Sequence, residues 1–221
     1  MSATLKQGKK LLSVFENTSA ERMQAIIESG FLADLRDGNI ARVDRDEFRQ
    51  ILGLMALTPK PDSLLKFIRI IAIPSTKKFI ARDHFVANIK EGARAKISYL
   101  GDNFRQEFLD KIEKPAGKNS LRCHELLKPS VDGSIFAELG GEKKVASTLA
   151  QIYWLMEQQP NGEDGTMLND GRWNIFYIPN TAGVLRAVCV FWSGGGWGVD
   201  AGSVEFPFRW DVGSQVFSRN S

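Results

Sequence analysis

The chain has 221 residues and is 43% hydrophobic, 10% aromatic and 25% charged, a composition that excludes a disordered or fibrous protein and suits one large domain or two modest ones. A formal net charge of +3 hides an uneven spread: residues 1–59 carry eight basic and eight acidic side chains, 60–128 fifteen and eight, and 129–221 six and ten. The stretch after Lys6, Lys9 and Lys10 is too short and too soon charged for a signal-peptide core, and Phe67–Ile73 is broken by Arg69 and stopped by Pro74, so neither secretion nor a membrane span is expected.

The two cysteines, Cys123 and Cys189, lie far apart and read as free buried thiols in a reducing compartment. These features together predict a soluble cytoplasmic protein.

In chain order, Thr4–Glu16 sets Leu5, Leu11, Leu12 and Phe15 at near-helical spacing, and Thr18-Ser19-Ala20-Glu21 reads as a capping box. The helix it opens has Met23, Ile26 and Ile27 on one face and stops at Gly30. A short apolar turn, Phe31–Leu35, follows, and Asp44-Arg45-Asp46-Glu47 opens a further helix that ends at Gly53. Pro59 and Pro61 each remove a backbone donor and mark the clearest boundary in the chain.

Beyond them, Phe67–Ile73, Lys78–Arg82 and Ala95–Leu100 read as strands, Phe104–Ile112 as a helix, and Leu121–Leu127 as another strand. After the short segment Ile135–Leu139, Glu142–Gln158 carries Val145, Leu149, Ile152 and Met156 as one stripe and predicts a single long helix. Trp173–Ile178, Val184–Trp192, Trp197–Ser203 and Gln215–Ser218 then predict an antiparallel meander, with Val184–Trp192 placed centrally. The fold class is α+β: a helical region at 1–57, a basic mixed α/β region at 63–130, and at 131–221 an antiparallel Trp-rich sheet packed on the long helix.

Several segments carry a likeness: Gly30–Leu35, Val43–Arg49, Ala81–Phe85, Lys96–Phe104, Asn174–Tyr177, Gly183–Val188 and Val216–Ser221. Through them the chain resembles a set of uncharacterised proteins that recur in small-genome candidate-phyla bacteria of the Patescibacteria type. The resemblance spans nearly the whole chain and implies a bacterial origin and a dedicated fold. It implies no activity and no catalytic residues.

Chemistry-bearing motifs are sparse. Asp83-His84 and Cys123-His124 pair possible ligands, but adjacent strand residues point to opposite faces, and no metal-binding spacing is present, so no metal and no cofactor are expected. Neither cysteine nor serine has a nucleophile motif beside it, Gly194-Gly195-Gly196 lacks the lysine and helix of a phosphate loop, and Glu163-Asp164 fits a solvated turn. Trp192 and Trp197 flank one hairpin turn and are candidates for an exposed ligand-binding aromatic pair, whereas Trp154 and Trp173 fit the core.

Lys77, Lys78, Arg82, Arg94, Lys96 and Tyr99 have the mixture of cations and rings seen on single-stranded nucleic-acid surfaces; the bland alternative is that these charges pair with the acidic C-terminal part. The leading expectation is a non-catalytic binding or interaction protein with a protein or small-molecule partner. Nucleic-acid binding through 77–105 comes second, and an enzyme of unknown class third.

Overall fold

A computed structural model describes residues 13–38, 48, 49, 52 and 63–220 of the chain. The chain divides into two compact units, Met1–Leu57 and Thr58–Ser221. The helices expected over Thr4–Glu16 and after Asp44 lie largely outside the described residues.

Within the first unit, α1 (Ala20–Glu28) begins one residue later than the expected box requires. Ser19, not Thr18, is the cap, and its hydroxyl accepts the Arg22 amide at 3.3 Å; Glu21 instead adds a negative charge to the first turn, where the helix dipole favours it. The stretch from Phe31 is a helix rather than a turn: α2 (Phe31–Asp37) starts afresh because Gly30, at φ 73°, redirects the chain.

The second unit is built on one mixed sheet. Its strands are β1 (Leu65–Ile73), β3 (Ile97–Leu100), β5 (Asn119–Leu126), β6 (Asn174–Pro179), β7 (Leu185–Ser193), β8 (Gly196–Ser203) and β9 (Gln215–Arg219), in the order β1-β5-β9-β6-β7-β8-β3. A separate pair, β2 (Phe79–Ile80) and β4 (Ile112–Glu113), is antiparallel. The large sheet joins strands from 63–130 and 131–221, so both regions share one core. The β6–β7–β8 part is antiparallel as expected, but β9 runs parallel to β6 and β3 parallel to β8, so the sheet is mixed rather than a meander.

Helices cover both faces. α4 (Asp102–Phe108) and α7 (Leu149–Glu157) bury Phe104, Phe108, Leu149, Ile152 and Met156 against Phe176, Val188, Val190, Trp197, Val199 and Phe217 on the first face. α5 (Asp132–Leu139) and α6 (Glu142–Val145) bury Ile135, Phe136 and Val145 against Ile175, Tyr177, Ala187 and Val216 on the second. Each fully buried side chain of this size stabilises the fold by about 1.5–3 kcal/mol.

Three expected elements change for physical reasons. The single helix over Glu142–Gln158 is two, because Ala146 is extended (φ −62°, ψ 122°) and Ser147 donates its amide to Tyr177 O at 2.8 Å, joining the sheet edgewise. Thr148 and Gln151 then form a reciprocal capping box that restarts the chain as α7. Lys78–Arg82 is a strand only over Phe79–Ile80; α3 (Ala81–His84) follows, since a helical turn lets both Ala81 and Phe85 reach the core. The Phe104–Ile112 helix stops at Phe108, and Ile112 enters β4 instead.

Among the described residues no helix is long and apolar enough to cross a membrane.

Candidate binding surface

The basic residues of the middle region do not form one track. Lys77 and Lys78 are exposed between β1 and β2, but Arg82 pairs with Asp110, and Arg94 Nε lies 3.1 Å from Glu157 Oε1. Lys96 is half-buried, and its backbone carbonyl accepts the Trp197 amide at 2.7 Å. Tyr99, on the sheet-edge strand β3, is 48% exposed. Of the three expected cations besides Lys77 and Lys78, two, Arg82 and Arg94, have a carboxylate beside them, and the third, Lys96, is half-buried.

Around Arg94 the fold assembles a titratable cluster. His84 stacks on Phe79 at 4.2 Å and 7°, and its ring centroid is 4.9 Å from that of Tyr153. Burial is the main cause that lowers the His84 pKa, against the opposing pull of Glu157 and Asp83. Burial likewise raises that of Tyr153.

The tryptophan pair forms but is not the exposed platform expected. Trp192 and Trp197 are directly opposite across the β7–β8 ladder and meet edge to face at 5.1 Å. Trp197 is fully buried on the first face, where its indole N–H donates to Gln159 O at 3.0 Å, and Trp192 is half-buried. Rings of this size beside a helix-covered face are worth more as core than as surface, and the direct cross-strand pairing puts both on that face.

The exposed rings lie elsewhere. On β8, Trp197, Val199 and Ala201 face the first core, which turns Gly198, Asp200 and Gly202 to the second face. Phe191 lies across Gly198, where any Cβ would overlap its ring, so only glycine admits it. From Phe191 runs a chain of edge-to-face contacts: half-buried Trp173 at 4.9 Å, buried Trp210 at a further 6.0 Å, and exposed Phe208 at 5.1 Å from Trp210. Trp210 is pinned by its indole N–H to Asp132 Oδ1 at 2.7 Å and by paired backbone bonds with Ser130.

The strip ends in solvent, with Phe206 65%, Phe208 45% and Val212 55% exposed. The sequence carried a signal for it, since Phe206, Phe208, Trp210 and Val212 recur at every second position in a stretch that otherwise reads as a loop.

Neither cysteine offers a nucleophile. Both are free and buried, on opposite faces of the sheet, and desolvation pushes each thiol up to about 12. Among the described residues no group of three or more His, Cys, Asp or Glu side chains is placed to hold a metal ion. Comparison with known proteins finds no matching family model, no matching curated protein and no matching solved structure.

Proposed function

We propose that the protein is a non-catalytic binding protein that takes an apolar segment of a partner on the Phe191–Trp173–Trp210–Phe208 strip, and that it does so in the cytoplasm of a bacterium. The observation that supports this reading is the exposure of Phe206, Phe208 and Val212 beside Trp210, which is buried in the second core with Trp173 packed against it. Rigid aromatic anchors lose little entropy on binding and dominate the energetics of interfaces, and adjacent exposed apolar groups on a folded scaffold mark interaction sites.

The test is a comparison of what co-purifies with the wild type and with the F206S/F208S double variant, read by quantitative mass spectrometry. A partner retained by the first and lost by the second supports the reading; identical profiles overturn it.

Nucleic-acid binding is the second reading, and the exposure of Tyr99 together with Lys77 and Lys78 favours it.

A further inference from the structure

We propose that His84 makes the attachment of loop 85–96 to the end of α7 sensitive to pH: neutral, it leaves the Glu157 carboxylate to Arg94; protonated, it competes for that carboxylate and sets Arg94 free. The loop joins α3 to β3, and its residues 86–92 are exposed. Its far end is fixed by the backbone, where Asn88 and Ile97 exchange hydrogen bonds at 2.8 and 3.0 Å and the Lys96 amide donates to Pro160 O at 3.2 Å. Between these points the side-chain tie is the pair of Arg94 Nε with Glu157 Oε1 at 3.1 Å.

The geometry brings His84 to the same carboxylate. Its ring is held against Phe79 at 4.2 Å and Tyr153 at 4.9 Å, so a charge placed on it cannot swing into solvent without breaking the stack. Tyr153 and Glu157 stand four apart on α7, which puts them on one face of the helix, a turn from each other. Glu157 is also the last residue of α7, where the carbonyl ends of the helix repel a carboxylate and welcome a cation.

The charged and titratable groups around the ring are Asp83 from its own helix, Tyr153 and Glu157 from α7, and Arg94 from the loop. β2 presents the uncharged ring of Phe79, and Glu113 of β4 is spent on the Leu149 and Ala150 amides at the other end of α7. An imidazolium here attracts Glu157 and Asp83 and repels Arg94, whose side chain is 76% exposed and leaves for water at little cost. Burial, which disfavours the charged ring, and Arg94 together set the change below the ordinary histidine value of 6.5, on the acid side of neutrality.

The test is an NMR titration of the full chain from neutral to mildly acid pH, following the His84 ring together with hydrogen exchange at the Asn88, Ala93 and Lys96 amides, each of which donates a backbone hydrogen bond. After correction for the intrinsic pH dependence of exchange, their protection should fall by about two- to fivefold as His84 protonates, the size that an exposed ion pair carries. The chain has two histidines, and the other, His124, is buried beside Phe67 on the β1–β5 pair, so its titration is distinguishable. H84F keeps a ring in the stack without a charge, and H84Q removes both; in each, protection should no longer follow pH. E157Q should show the lower protection throughout. Protection in the wild type that stays constant through the His84 titration overturns the proposal, and so does a fall that persists in H84F and H84Q.

Discussion

Asp132 Oδ1 accepts two hydrogen bonds at once, from the indole N–H of Trp210 at 2.7 Å and from the hydroxyl of Tyr177 at 2.7 Å. One buried carboxylate oxygen thus ties the exposed loop to the central strand β6. Burial raises its pKa more than the two donors lower it, and the same contact helps drive the Tyr177 hydroxyl well above its usual value.

A carboxyl whose folded pKa is raised is penalised when it ionises, so its contribution is most favourable below its unfolded pKa and declines as pH rises through the folded value. Relative to D132N, the wild type should therefore lose unfolding free energy as pH climbs from about 4 toward neutrality. D132A leaves Tyr177 and Trp210 without their acceptor and should cost about 1–3 kcal/mol for each orphaned donor, clearly more than D132N. Urea unfolding across pH measures both; equal losses in the two variants would remove the hydrogen bonds from this account.

Gly162 has φ 70° and lies against the Trp192 ring so closely that a Cβ would overlap it. G162A should cost about 1–3 kcal/mol from the backbone conformation alone, and more from the displaced indole. Chemical denaturation gives the first quantity, and a change in tryptophan emission reports the second. An unaltered spectrum with unaltered stability would mean the loop does not rest on Trp192.

Cys123 and Cys189 should resist alkylation in the native protein at neutral pH, because burial both raises their pKa to about 12 and blocks access. Both should react promptly in denaturant. Mass spectrometry after a short iodoacetamide pulse counts the adducts, and rapid native labelling of either would contradict its burial.

If the middle region binds single-stranded nucleic acid, Lys77 and Lys78 carry the electrostatic part, since Arg82 and Arg94 are already paired. Two phosphate contacts give a slope of only about −1.4 in log affinity against log salt. Removing Tyr99 should cost about 1–3 kcal/mol through one lost stacked base. Fluorescence anisotropy at low salt decides the matter: no binding at about 50 μM protein removes nucleic acid as a ligand.

Particular residues show how far the sequence could be read. The strands β1, β5, β6, β7 and β8 follow from β-branched and alternating residues within a residue or two of their ends, because those patterns report local side-chain direction. The break at Ala146 escaped an apolar stripe that runs straight through it, although Thr148-Leu149-Ala150-Gln151 spells the capping box that restarts the helix. Periodicity shows which side of an element is apolar, but not which of two apolar faces is covered. That is why Trp197 read as a candidate platform although it is buried, while Phe206 and Phe208 are exposed. The pairing of Arg82 with Asp110 and of Arg94 with Glu157 depends on tertiary placement that no local pattern records.

The strand order has a consequence for how the protein is made. β1 and β3, synthesised early, form the two edges of the sheet, while β5 and β6 never touch and are joined only through β9. A nascent chain lacking residues 215–219 therefore holds a β1–β5 pair on one side and β6–β7–β8 with β3 on the other, each with an open strand edge where β9 belongs. Closure of the sheet waits for β9, and until β9 docks each half presents an unpaired strand edge open to mispairing.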